Sequence, residues 1–477
     1  MSSVKKNYLY NLAYQMLTLC LPLIITPYLS RTLGAEGVGI YSYSYSTAHF
    51  FAIFILLGLN NYGCRAIAKN QEDVSALSKT FWSIYFLQIT LGVLINGLYL
   101  GYCLLFAEDK TAALLLGLYT LSVVFDINWF FFGMENFKHT TIRNFAIKLV
   151  KTVLIFLFVK GKGAAYLYCL IMAAGFLVSQ LALWPSALKT VKFYVPTFKE
   201  IIVHLKPNLL LFGTTIAVTM FKVMDKIMLG NMASVEQVGF YESSEIVLMV
   251  PVALISALGT VMLPRMTNLL SKNSEEAKDV LHLSILFAMF VSSAMSFGIM
   301  GVAREFVPIF YGEGYDICVY LYLILLPSCI FLAFANVIRT QYLLPQQMDR
   351  AYVVSAILGA VTNLCINAIL IIPLGAIGAA IGTLAAEGVV CAYQSKKVMQ
   401  KISITRYIYE AVPLVLSGAI MFAVLYFWNN LPVAPFVALI IKIVAGVVIY
   451  FVALFLLSLV FRINYINVIK KTLKKQK

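Results

Sequence analysis

Residues 29–44 read LSRTLGAEGVGIYSYS and residues 229–244 read LGNMASVEQVGFYESS. An offset of two hundred aligns Leu29 with Leu229, Glu36 with Glu236, Val38 with Val238, Gly39 with Gly239, Tyr41 with Tyr241 and Ser44 with Ser244. Chance would supply about one such identity, so the chain is internally duplicated. Each copy falls where one apolar run ends and the next begins. Two repeated membrane lobes of this kind are the sequence signature of an alternating-access carrier.

Working outward, composition fixes the class. Of 477 residues, 61% are hydrophobic and only 12% charged, and the mean hydropathy is +0.88. That is more apolar surface than a soluble core can use, so the chain reads as an all-α polytopic membrane protein. Cys20, Cys103, Cys169, Cys329, Cys365 and Cys391 sit inside apolar runs without paired spacing, and are expected to be small buried hydrophobes rather than a disulfide framework. The N-terminus runs from Lys5 and Lys6 straight into an apolar stretch with no small-residue cleavage site, so a retained first span is expected.

Runs of about 20 residues, long enough to cross roughly 30 Å of hydrocarbon, number about fourteen. They lie near 8–30, 38–61, 80–106, 111–133, 142–160, 164–187, 207–230, 236–262, 280–302, 317–338, 351–372, 375–394, 408–428 and 435–461. With a cytoplasmic N-terminus the outer loops hold only Arg31, Lys110, Lys160, Lys162 and Arg304, while the inner segments collect most of the Lys and Arg. The positive-inside rule therefore places both termini in the cytoplasm. The net charge of +15 is explained by topology and anionic membrane lipids, and no nucleic-acid partner is implied.

The repeat divides the chain into a six-helix lobe over 1–200, a second over 201–400, and two additional helices with a basic tail over 401–477. An even number of spans per lobe gives both copies the same orientation, with a pseudo-twofold axis along the membrane normal and a cavity between them. Extramembrane segments of at most about 20 residues leave no room for a soluble catalytic domain, and no GxxxxGK[ST] phosphate loop occurs. Neither enzyme activity, cofactor nor metal is expected.

Charges inside the bilayer cost about 2.5–3.5 kcal/mol each at a helix centre, so function is sought where they persist. Lys222, Asp225 and Lys226 share one helix face through spacings of three and four. Glu242 and Glu245 of the next run are expected at similar depth. The five either pin two helices as an ion-pair cluster or line the cavity. Lys148 and Lys151 lie in the fifth run and Asp126 in the fourth, at comparable depth. One lysine is expected to neutralise Asp126; the other is left to hold an anionic group such as phosphate. Lys442, alone in its run, is expected to snorkel.

The run YSYSYST opens the second span, and on a helix Tyr41, Tyr45 and His49 form one stripe at i, i+4 and i+8. Their repeat partners Tyr241 and Glu245 suggest faces that meet across the cavity. An interfacial belt is favoured over a sugar platform for the tyrosines, and a hydrogen-bonding role over a proton relay for His49. Pro22 and Pro27 are expected to bend the first helix into a gate. Arg31, at its outer end, meets an anionic substrate or lipid headgroups.

The runs DINWFFFGMENFK (126–138), LGAEGVGIYSYS (33–44), MDKIMLGNMASVEQVGFYESSE (224–245), ALGTVMLPRM (257–266) and PLGAIGAAIGTLAAE (373–387) resemble bacterial polysaccharide-unit flippases of the Wzx type. Their superfamily also holds the multidrug and toxin extruders and the lipid II flippases. The resemblance covers essentially the whole chain. It implies a V-shaped pair of six-helix lobes that carries an undecaprenyl-diphosphate-linked oligosaccharide from the inner to the outer leaflet of the bacterial plasma membrane, for capsule, O-antigen or similar polymers. It also implies a polyprenyl-diphosphate-linked glycan as partner, with a glycan polymerase and glycosyltransferases beside it. Lys148, Lys151, Lys222, Asp225 and Lys226 would correspond to charged cavity residues; Glu245 departs from a pattern that is often basic. A drug/cation antiporter would have twelve spans and a more acidic first lobe, and a lipid II flippase an arginine within its first span. A membrane glycosyltransferase or polymerase would need a larger outer loop.

Overall fold

Helix boundaries in this chain follow its polar residues. The structure, a computed structural model, describes residues 20–272, 275–428, 432–465 and 467, which are α-helical with no strand among them. It packs as two units, Met1–Gly239 and Phe240–Lys477. In the first, the described residues open with a helix over 20–32, continuous through Pro22 and Pro27. It continues with α1 (Gly34–Leu56), α2 (Leu59–Asn70), α3 (Val74–Leu105), α4 (Lys110–Val124), α5 (Asn128–Gly133), α6 (Phe137–Phe158), α7 (Ala165–Leu181) and α8 (Leu205–Met232). Helix α9 (Val235–Ser271) starts in this unit and runs into the second. There follow α10 (Glu275–Gly301), α11 (Ala303–Tyr311), α12 (Ile317–Ile338), α13 (Asp349–Leu374), α14 (Ala376–Val398), α15 (Ile404–Phe427) and α16 (Pro435–Val460).

Among the described residues, eleven helices are long and apolar enough to cross a membrane, against the fourteen expected. The other three expected runs differ in kind. The run 8–30 begins outside the described residues. Those at 142–160 and 207–230 fall in α6 and α8, long helices that carry several charges each. Val444, Phe451 and Phe455 of α16 are more than half exposed, a surface suited to lipid rather than water. Cys103, Cys169 and Cys329 are buried as expected, whereas Cys20 and Cys365 are exposed. A helix that faces hydrocarbon on one side exposes apolar residues without cost.

Two expected spans are interrupted. The second breaks at Leu57, whose φ of 51° is unusual for a residue with a side chain. There the Gly58 N–H donates to Asn208 Oδ1 at 2.7 Å, which fastens α8 to the α1/α2 junction. The fourth breaks between Val124 and Asn128. Its freed carbonyls are taken by the fully buried Gln88, whose Nε2 donates to Val123, Val124 and Asp126 O at 2.9, 3.1 and 2.9 Å. Trp129 Nε1 in turn donates to Gln88 Oε1 at 3.1 Å. An apolar medium offers no water to satisfy such groups, so one glutamine makes the break tolerable.

Packing in the first unit follows side-chain size. Small Ala48 and Ala52 of α1 meet Leu116, Cys169 and Ala173, while Phe81, Trp82, Trp129 and Phe130 build a second, aromatic core around the break. The repeat appears in space as well. A Cβ on Gly39 would overlap the Val235 carbonyl oxygen, and one on Gly239 would overlap that of Ala35. Ala35 and Val235 are themselves two hundred residues apart, so the two contacts are reciprocal. Only glycine permits this approach of backbone to backbone.

In the second unit, Gly378 and Gly382 let α13 and α14 close on each other. Lys442 corrects an expectation. It does not snorkel: it is 1% exposed, and its Nζ meets Glu305 Oε1 of α11 at 2.5 Å. The ammonium is taken up by a carboxylate on a neighbouring helix.

Candidate functional site

A cavity of about 490 Å³ lies within the first unit and is lined by α5, α6, α7 and the start of α2. The spacing of α6 builds its cationic wall: Arg143, Asn144, Ile147, Lys148 and Lys151 all reach it, at separations that keep them on one face. Asp126 and Asn128 enter from the broken fourth run, because the break lets the chain turn polar groups inward. Lys148, Lys151 and Asp126 thus share one cavity, as their depth in the sequence suggested.

Their partners differ from those expected. Asp126 Oδ1 accepts from Asn128 N at 2.9 Å and from Asn128 Nδ2 at 2.6 Å, which ties it to the first residue of α5. Asn128 is then held by Arg143, whose Nη2 donates to Asn128 Oδ1 at 2.9 Å. Arg143 Nη1 also donates to Ser179 O at 2.8 Å and Gln180 Oε1 at 3.1 Å. The cation tied into the Asp126 network is therefore an arginine bridged by Asn128, rather than a lysine. Its planar fork reaches three acceptors at once, which an ammonium on a flexible stem does not do as well.

Lys151 takes the other course. Its stem crosses Gly175, where any Cβ would collide with it, and its Nζ sits 4.5 Å from the centre of the Phe176 ring. Among the described residues no carboxylate pairs with it. An aromatic face stabilises an ammonium only modestly and leaves it able to take an anion.

Phe176 joins the cavity to the tyrosine stripe. Its ring stacks on Tyr45 at 5.8 Å, Tyr45 on Tyr41 and on His49 at 5.7 Å each, and His49 Nδ1 bonds the Tyr119 hydroxyl at 2.7 Å. Tyr41 also meets Tyr168 at 4.7 Å. The stripe is half-buried inside the unit, packed against α4 and α7. Tyr241 is buried in the second unit, with its hydroxyl 2.8 Å from Thr383 Oγ1.

The other candidates lie elsewhere. Arg31 is exposed at the end of the first described helix and does not line the cavity. Asp225 is buried and Lys226 half-buried in α8, and Glu242 and Glu245 are half-buried in α9. The side chain of Lys222 lies outside the described residues. Arg143, Asn128 and Gln180 were not singled out from sequence. Arg143 lies eight residues before Lys151, the two-turn spacing that marks one face, at the very start of the expected fifth run.

A family model described as polysaccharide biosynthesis protein matches residues 4–270. A putative O-antigen transporter of Escherichia coli (strain K12) is 25% identical over 397 residues, covering 81% of this chain and 94% of that protein. One from Shigella dysenteriae is 23% identical over 405 residues, covering 83% and 100%. Among solved structures, the lipid II flippase MurJ in an inward closed conformation superposes with a TM-score of 0.61 at 17% identity, covering 95% of this chain and 98% of that one. An inward-facing multidrug resistance MATE transporter of the MOP superfamily gives 0.58 at 14% identity, covering 88% and 99%. The fold is thus shared with these carriers.

Proposed function

We propose, on the premise that the chain belongs to the polysaccharide biosynthesis protein family, that it flips lipid-linked oligosaccharide units across the bacterial plasma membrane. The substrate of this reading is an undecaprenyl-diphosphate-linked glycan, moved from the inner to the outer leaflet by alternating access of two lobes, with both termini cytoplasmic. The described transporter relatives and the shared carrier fold support it.

The observation that carries it is the cavity in which Arg143, Lys148 and Lys151 stand opposite Asp126. Such an excess of cations, some desolvated, suits a diphosphate better than a cationic drug. Arg143 is engaged in holding Asn128 and the break, so it positions the wall. Lys151, with Phe176 beneath it, is the residue to meet phosphate, and Lys148 adds charge beside it. The aromatic stack behind Phe176 offers the rigid apolar backing on which a sugar face could rest. The polyprenyl tail needs no pocket, because it can stay in lipid. Glycosyltransferases that build the unit and a polymerase that consumes it are the partners this reading calls for.

The test is the leaflet distribution of undecaprenyl-diphosphate-linked oligosaccharide in cells lacking the protein, complemented with wild type or with Lys151→Met. Wild type should relieve cytoplasmic accumulation, and Lys151→Met should fail while still being inserted. Flipping at the wild-type rate by Lys151→Met would sink the cationic-cavity reading. An unchanged distribution in the null cells would sink the flippase reading and favour an antiporter.

A further inference from the structure

We propose that a second cavity of the first unit, of about 540 Å³, binds the phosphate head of a membrane lipid. It lies between α2, the start of α3 and the start of α8, and shares no lining residue with the cavity of Lys151. One wall is cationic: Arg65 and Lys69 stand at i and i+4 on α2, both exposed, and neither is paired with any described residue. The opposite wall is apolar. Leu210 and Leu211 line it, and Leu210 is 73% exposed. At the base, the Tyr62 hydroxyl and His204 Nδ1 are 2.6 Å apart. With Tyr62 donating, the other ring nitrogen of His204 carries a proton and can donate to a phosphate oxygen.

These walls ask for a particular ligand. A free nucleotide or sugar phosphate would use Arg65 and Lys69 and leave Leu210 and Leu211 against its polar parts. A lipid satisfies both, with its phosphate on α2 and its chain along α8. The site is also preformed, since Asn208 ties α8 to the α1/α2 junction through Gly58 N. Burial keeps His204 below the usual histidine range, so it is neutral near pH 7 and the positive charge comes from α2. Two lipids share the required chemistry, an anionic phospholipid and the polyprenyl diphosphate carrier itself.

The experiment is native mass spectrometry of the purified full chain with phosphatidylglycerol, phosphatidylcholine or undecaprenyl diphosphate added. Wild type should retain phosphatidylglycerol in preference to phosphatidylcholine. The double variant Arg65→Gln/Lys69→Gln should weaken that retention roughly thirtyfold, as expected for two surface cations. Leu210→Asp should weaken it too, whereas Lys151→Met should leave it unchanged. Competition by undecaprenyl diphosphate that survives in Lys151→Met would identify the carrier as the occupant, and its absence the phospholipid. Equal retention by wild type and the double variant, or no preference for phosphatidylglycerol, would overturn the proposal.

Discussion

Replacing Lys442 with Met removes its charge but keeps most of its carbon stem, and should destabilise the protein by about 3 kcal/mol. The magnitude follows from the surroundings. Lys442 is 1% exposed and 2.5 Å from Glu305 Oε1, while Glu305 Oε2 is buried without a partner. Removing one member of a buried pair strands the other charge at about 3–5 kcal/mol. The Glu305 side chain keeps 20% of its exposure, against 2% for Lys442, so stranding Glu305 belongs at the low end of that range. Glu305→Leu strands the deeper ammonium and should cost about 4 kcal/mol by the same rule. The double variant strands nothing. It should fall within about 1 kcal/mol of wild type, because a buried pair gains little over apolar groups of similar shape. Reversible denaturation in detergent micelles, followed by tryptophan fluorescence, measures all three. Additive losses in the double variant, or a cost under about 0.5 kcal/mol for Lys442→Met, would refute the reasoning and restore the snorkelling lysine.

Gln88→Leu should cost at least about 3 kcal/mol in the same assay, since it abandons three carbonyls and the Trp129 N–H in an apolar interior. Gly39→Ala and Gly239→Ala should each lower stability by about 1–3 kcal/mol through overpacking, by similar amounts because the contacts are reciprocal. Lys79, 2.6 Å from Glu200, together with the Thr197 N–H, lowers the Glu200 carboxyl from 4.5 to about 2. Glu200 therefore contributes stability that is fully present above pH 4.5 and lost as pH falls through about 2. In Lys79→Met its titration, followed by carbon-13 NMR, should move back up toward 4.5.

The helical class, the duplication and the meeting of Lys148, Lys151 and Asp126 were all legible in the sequence, because apolar run length and charge depth are one-dimensional properties. The breaks at Leu57 and between Val124 and Asn128 were not, since each depends on a side chain supplied from afar, Asn208 and Gln88. Lys442 was misread for the same reason: its counter-charge lies 137 residues away, on a helix that ridge spacing alone does not place beside it. The tyrosine stripe was correct as a stripe. Which way it faced was decided by Tyr119, Tyr168 and Phe176, contacts that periodicity on one helix cannot reveal.

The reciprocal seat of Gly39 and Gly239 also bears on why the repeat can still be read at all. Two copies released from common descent are free to drift apart, and most of this chain has done so. Where each copy is the surface against which the other is fitted, however, a change on one side is felt at once by its twin, and neither can widen alone. Ancestry at that point is preserved by fit. The short stretch that betrays the duplication survives as a seat in which its two copies are fitted backbone to backbone.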